Sequence, residues 1–104
     1  MADFTITIHV GNNEIKSITQ RWQELHRSTN DTVKWSITPS EQYPKFTVTF
    51  KNGTPFQNWV FDQDNNESGP IQAPPPPTGA DQIFQYLVEV PGCDPVDPGI
   101  IIWK

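Results

Sequence analysis

The chain has 104 residues, 18% of them charged and 12% aromatic, and carries 11 prolines against 6 glycines. That length fits one domain, 1–104, with no room for a second. A formal charge of -5 argues against nucleic acid and anionic membrane surfaces as partners. No apolar run approaches the roughly 20 residues of a membrane span, and one cysteine cannot form an internal disulfide. The opening "MADFTITIHV" has no charged segment leading into a long apolar one, so the chain as it stands reads as cytoplasmic. A mature exported domain behind a new Met-Ala would read identically.

"DFTITIHV" alternates strictly, with Phe4, Ile6, Ile8 and Val10 on one face and Thr5, Thr7 and His9 on the other, which predicts a half-buried strand. From Asn13 to Arg27 two readings compete. Ile15, Ile18, Trp22 and Leu25 fit a helical stripe, while "SITQRWQEL" also fits extended chain. A strand near Gln23 to Arg27 is favoured, with a short helix as the alternative. "DTVKWSI" puts Val33, Trp35 and Ile37 together, and "PKFTVTF" puts Phe46, Val48 and Phe50 together, both at period two. Asn52-Gly53 is the strongest turn signal, because both residues accept positive φ cheaply.

Between Trp59 and Ala80 the composition turns to Asp, Asn, Gln and Pro, and "APPPPTG" predicts extended polyproline chain. Strand signals then resume. "QIFQYLVEV" places Phe84, Tyr86, Val88 and Val90 on one face, and "GIIIWK" is apolar on both faces. If Ile100 and Ile102 pack inward, Ile101 and Trp103 face outward and need a covering loop or a partner chain, the latter in a homo-oligomer through the C-terminal strand. About seven short strands with proline-rich crossovers predict an all-β fold, a Greek-key β-sandwich.

The order of landmarks "NDTVKW", "YPKFTVTF", "FDQDNNESGPI", "TGADQIFQYLVEVPGC" and "DPGIII" resembles the cupredoxin pattern of plastocyanin-like domains, from about residue 23 onward. In that family two imidazoles and a thiolate, with an axial thioether, hold copper. The resemblance puts Lys45 at the first histidine's position and Val90 at the cysteine's. Cys93 falls close to the second histidine's position and Pro98 near the methionine's. The implied domain is cupredoxin-like without its copper ligands. It is expected to be a non-enzymatic binding or assembly domain with no cofactor, whose ligand is a protein or a carbohydrate. The alternative is a metal-binding or thiol enzyme using Cys93 with a histidine brought near by folding.

Asp94 and Asp97 beside Cys93 work against a reactive thiolate, so an ordinary thiol is the plainer reading. His9 and His26 fall on the polar side of strand patterns, where surface histidines outnumber metal ligands. Asp62, Asp64, Asn66 and Ser68 alternate as in a calcium loop, but Glu67 stands where that loop needs glycine and Ala73 where it needs a bidentate glutamate. Sequons begin at Asn30, Asn52 and Asn66. Among the aromatics, Trp59, Phe56 and Trp103 are the candidates for a binding platform, against the plainer reading that they close the ends of a sandwich. The two Asp-Pro steps after Cys93 are expected to form consecutive turns.

Overall fold

The computed structural model describes residues 3–72 and 81–103, so the predicted polyproline stretch at 73–79 lies outside the described residues. The described residues are all-β, with two sheets built from eight strands. Strands β1 (Asp3–Gly11), β2 (Glu14–Ile18) and β4 (Thr32–Thr38) form a three-stranded sheet in the order β2-β1-β4. Strands β3 (Trp22–His26), β5 (Thr47–Phe50), β6 (Val60–Asp62), β7 (Gln82–Glu89) and β8 (Gly99–Trp103) form a five-stranded sheet in the order β3-β8-β7-β5-β6. Two neighbours run parallel, β1 with β4 and β3 with β8. No helix among the described residues is long and apolar enough to cross a membrane.

The alternation read from the sequence sets the core. Ile6, Ile8 and Val10 of β1 and Val33, Trp35 and Ile37 of β4 are buried in one sheet. Leu25, Val48, Phe50, Phe61, Tyr86, Val88, Ile100 and Ile102 are buried in the other, all in one apolar cluster. Trp35 is its centre. Its ring lies 4.8 Å from that of Phe61 and meets Phe50, Phe56 and Tyr86 edge to face.

The favoured strand at the start of the ambiguous segment's second half is present as β3, one residue earlier than expected, and a single 3₁₀ turn over Arg27–Thr29 follows it. The helix-like spacing has two physical causes. In the β1/β2 ladder His9 pairs with Ser17 and Val10 with Ile15, so Lys16 is an extra, bulged residue. Ile15 and Ile18 therefore both pack toward the core although three residues apart. The chain then changes sheets at residues 19–21, and Trp22 ends up on the opposite side from Leu25.

The hairpin between β1 and β2 turns on Asn12 and Asn13, both at positive φ, which asparagine tolerates better than most residues. Tyr43 fastens it: the Asn13 N–H donates to the Tyr43 hydroxyl oxygen at 2.9 Å. Asp31, 2% exposed, ties the exit of β3 to the entry of β4. Its carboxylate accepts the His26 N–H at 2.8 Å and the Thr29 hydroxyl at 2.7 Å.

Burial pushes the Tyr86 phenol up to about 12, a rise that the nearby Trp35 indole opposes. By hydrogen-bond geometry, however, neither the Tyr86 hydroxyl nor Trp35 Nε1 has a partner. The unfolded phenol ionises near pH 10, so from about pH 10 to 12 the unfolded chain loses a proton that the folded chain keeps. Tyr86 should thus remove about 2–3 kcal/mol of stability as pH rises through that window and nothing below it. Tyr86→Phe should abolish this difference. At pH 7 it should unfold at the same denaturant concentration as the parent or a higher one, since no formed hydrogen bond is lost. Urea titrations of both proteins at pH 7, 10 and 12 measure this; a variant that loses stability at pH 7 would reveal a hydroxyl with a partner.

Candidate functional site

Val90, Pro91, Gly92 and Cys93 close a turn, with the Cys93 N–H donating to the Val90 carbonyl at 3.0 Å and Gly92 at φ 84. Proline then glycine at the two central positions is what a type II turn requires. The Cys93 side chain is half-buried against the core.

Beyond it the consecutive turns expected at the Asp-Pro steps do not form. Val96 instead exchanges two backbone hydrogen bonds with Val88, at 2.8 and 3.2 Å, and the Pro98 carbonyl accepts the Tyr86 N–H at 3.0 Å. The restriction each proline places on the preceding aspartate favours extended chain, and here that chain continues along β7. Val96 supplies the donor that the prolines lack.

A small depression of about 160 Å³ at this end is lined by Gln42, Tyr43, Pro44, Lys45, Val90 and Pro91. Val90 and Pro91 also border a second depression, which Cys93 and Pro95 help to line. A larger groove, about 390 Å³, lies elsewhere, along the starts of β1 and β4. There the Thr32 hydroxyl donates to Asp3.

The histidines have other partners than the thiol. His9 Nε2 lies 3.3 Å from Thr19 Oγ1. His26 stacks on Trp103, with 6.4 Å between ring centroids and 19° between planes. Trp103 is at the far end of β8 from the segment that carries Cys93. Neither ring hydrogen-bonds Cys93, and among the described residues no group of three or more His, Cys, Asp or Glu could hold a metal ion.

The calcium-like loop directs its polar side chains to backbone groups of its own turn and of β4. Asp62 Oδ1 accepts the N–H groups of Asp64 and Asn65 at 2.9 and 2.8 Å. Asn66 Nδ2 donates to the Trp35 carbonyl at 2.8 Å, and Ser68 Oγ accepts the Val33 N–H at 2.8 Å. Asn66, which begins one of the sequons, thus seals the open edge of β4, whereas Asn30 and Asn52 are exposed.

The three aromatic candidates are not brought together as a platform. Phe56 must be removed from that set: it is 3% exposed, and its ring packs against Trp35, Phe50 and Phe61. Its loop position hid this, because loops have no periodicity to reveal an inward side chain. Trp59 is 50% exposed just before β6, while Trp103 is half-buried on β8.

A different surface collects exposed apolar side chains. On the outer face of the five-stranded sheet, register sets Trp22 beside Gly99, and Ile101 between Glu24 and Ile83. Trp22 is 42% exposed and Ile83 64%. Ile101, Trp103 and Leu87 are half-buried on the same face. The six-membered ring of Trp22 covers Gly99 closely enough that a Cβ there would lie 2.3 Å from Cζ3, so glycine is what lets the indole settle on the sheet.

Strand β8 lies between β3 and β7, so both its hydrogen-bonding edges are used and only its outer face can meet a partner. The open side of β3 is blunted: Gln23 Nε2 donates to the Glu24 carbonyl at 3.1 Å, and Asp31 takes the His26 N–H. Trp22 already falls off the inferred core face in the sequence, and its exposure agrees with that; Ile83 was not singled out. The signal was present in "QIFQYLVEV", where Ile83 and Leu87 put apolar residues on the side that should be polar.

No known protein family, curated protein or solved structure matches this chain.

Proposed function

We propose that the chain is a copper-free, cupredoxin-like domain with a Greek-key path, non-enzymatic, which works in binding or assembly through the outer face of its five-stranded sheet. The observation that carries the binding reading is the exposure of Trp22 and Ile83 beside Ile101, Leu87 and Trp103 on one sheet face. An exposed apolar patch of this kind on a small domain is often a contact site.

Support for the cupredoxin part comes from the loop end. Lys45 and Val90, at the positions where the resemblance expects a histidine and a cysteine, line one depression, and the turn ending in Cys93 borders it. The chain also passes between the two sheets at residues 19–21, 27–31 and 39–46, the crossovers of a two-sheet sandwich. With a lysine ammonium and a valine at those positions, the pair offers no soft ligand to copper.

The test is a copper(II) titration of the purified protein followed by visible absorption. No intense thiolate charge-transfer band is expected at any ratio. A saturable band with one copper per chain would sink the proposal.

A further inference from the structure

We infer that the outer face of the five-stranded sheet is a self-association surface: two copies of this chain pack β3-β8-β7 against β3-β8-β7 as a weak, reversible two-fold dimer. The inference rests on the reading of that face as a contact surface and commits it to one occupant.

The first argument is area. Trp22 and Ile83, with the exposed parts of Ile101, Leu87 and Trp103, present on the order of 300 Å² of apolar surface. About 60% of a typical interface is apolar, which implies on the order of 500 Å² buried per partner. Permanent dimers bury more than twice that, whereas transient associations bury about this much.

The second argument is charge. The middle of the face, formed by Gly99, Ile101, Ile83 and Gln85, carries no ionisable group and so asks for no oppositely charged partner. Glu24 is the charge that decides the geometry. A two-fold axis running across the strands would set Glu24 against Glu24 of the other copy. An axis running along β8 instead lays each β3 over the copy's β7, and there the Glu24 methylenes meet Ile83 while the carboxylate stays at the rim. Sheets packed face to face lie about 10 Å apart, close enough for Trp22 to reach the copy's β7 beside Gln85 and for Ile83 to reach its β3.

Each chain carries a formal charge of -5, so the two copies repel at long range. Salt screens that repulsion without touching the apolar contact. The dimer should therefore tighten severalfold between about 0.02 M and about 0.5 M salt, opposite to what an acidic domain shows with a basic partner.

Sedimentation equilibrium of the full chain from about 10 µM to about 1 mM tests this. Expected are a monomer–dimer equilibrium with a dissociation constant in the upper micromolar range, its strengthening by salt, and its loss in Ile83→Glu. That variant changes an exposed side chain and should melt with the parent at low concentration. Lys16→Gln, on the other sheet and with the same net charge as Ile83→Glu, should dimerise like the parent in about 0.5 M salt. The inference is overturned by a parent that stays monomeric at about 1 mM, by weakening with salt, by an Ile83→Glu protein that dimerises as the parent does, or by a Lys16→Gln protein that does not. A monomeric parent would leave the copper-free reading standing, and stoichiometric copper binding would remove that reading without touching the dimer.

Discussion

Trp35→Ala should be the most damaging single substitution in this chain, costing about 3–5 kcal/mol or more. Trp35 is fully buried, and four aromatic rings surround it with centroids 4.8 to 6.3 Å away. Deleting the indole opens a cavity that β4 cannot collapse into, because its backbone is held on one side by β1 and on the other by the Asn66–Ser68 segment. Domains of this size are stable by about 5–15 kcal/mol, so the variant should sit near its unfolding threshold at room temperature. Denaturant unfolding followed by far-ultraviolet circular dichroism measures the loss without relying on the removed fluorophore. Trp35→Phe, which keeps a ring in place, should recover more than half of it. A cost under about 1 kcal/mol for the alanine variant would show that the ring cluster is not where this fold holds its stability.

The second large effect is a contrast along one segment. Ile100→Ala and Ile102→Ala should each cost about 2–5 kcal/mol, because both side chains are buried in the middle of the five-stranded sheet. Cys93→Ser, a few residues earlier, should cost under about 1 kcal/mol. Its thiol is half-buried, and the contact that closes its turn is the backbone bond from its N–H to Val90, which serine keeps. Unfolding the three variants under one set of conditions separates the cases. A Cys93→Ser protein that fails to fold beside tolerant isoleucine variants would assign the anchoring role to the loop.

Much of this architecture was legible because period-two alternation is a direct image of burial. The inward residues read from "DFTITIHV", "DTVKWSI" and "FTVTF" are the ones buried in β1, β4 and β5, with Phe4 only half-buried. Legibility failed where the chain broke its own period. The Lys16 bulge made two strand residues look helically spaced, and the change of sheet before Trp22 sent an aromatic residue outward in mid-pattern. Phe56 was hidden for another reason: it lies in a loop, and Trp35, on which its ring packs, is far away in sequence. The contact face was half legible. "GIIIWK" announced two apolar sides, but only cross-strand register joins Ile101 to Ile83 and seats Trp22 on Gly99.

The position of β8 has a consequence for how the molecule assembles in time. β5, β6 and β7 can pair among themselves, but β3 finds its parallel partner only when positions 99–103 arrive from the other end of the sequence. Closing so long a loop is entropically slow, as is sheet formation dominated by distant pairings. A partly folded chain would therefore hold two unsatisfied borders, one on β3 and one on β7, around a gap one strand wide. During refolding at high concentration, a β8 from a neighbouring molecule could fill that gap as well as the chain's own. Strand exchange is thus the misassembly to which this topology is most open.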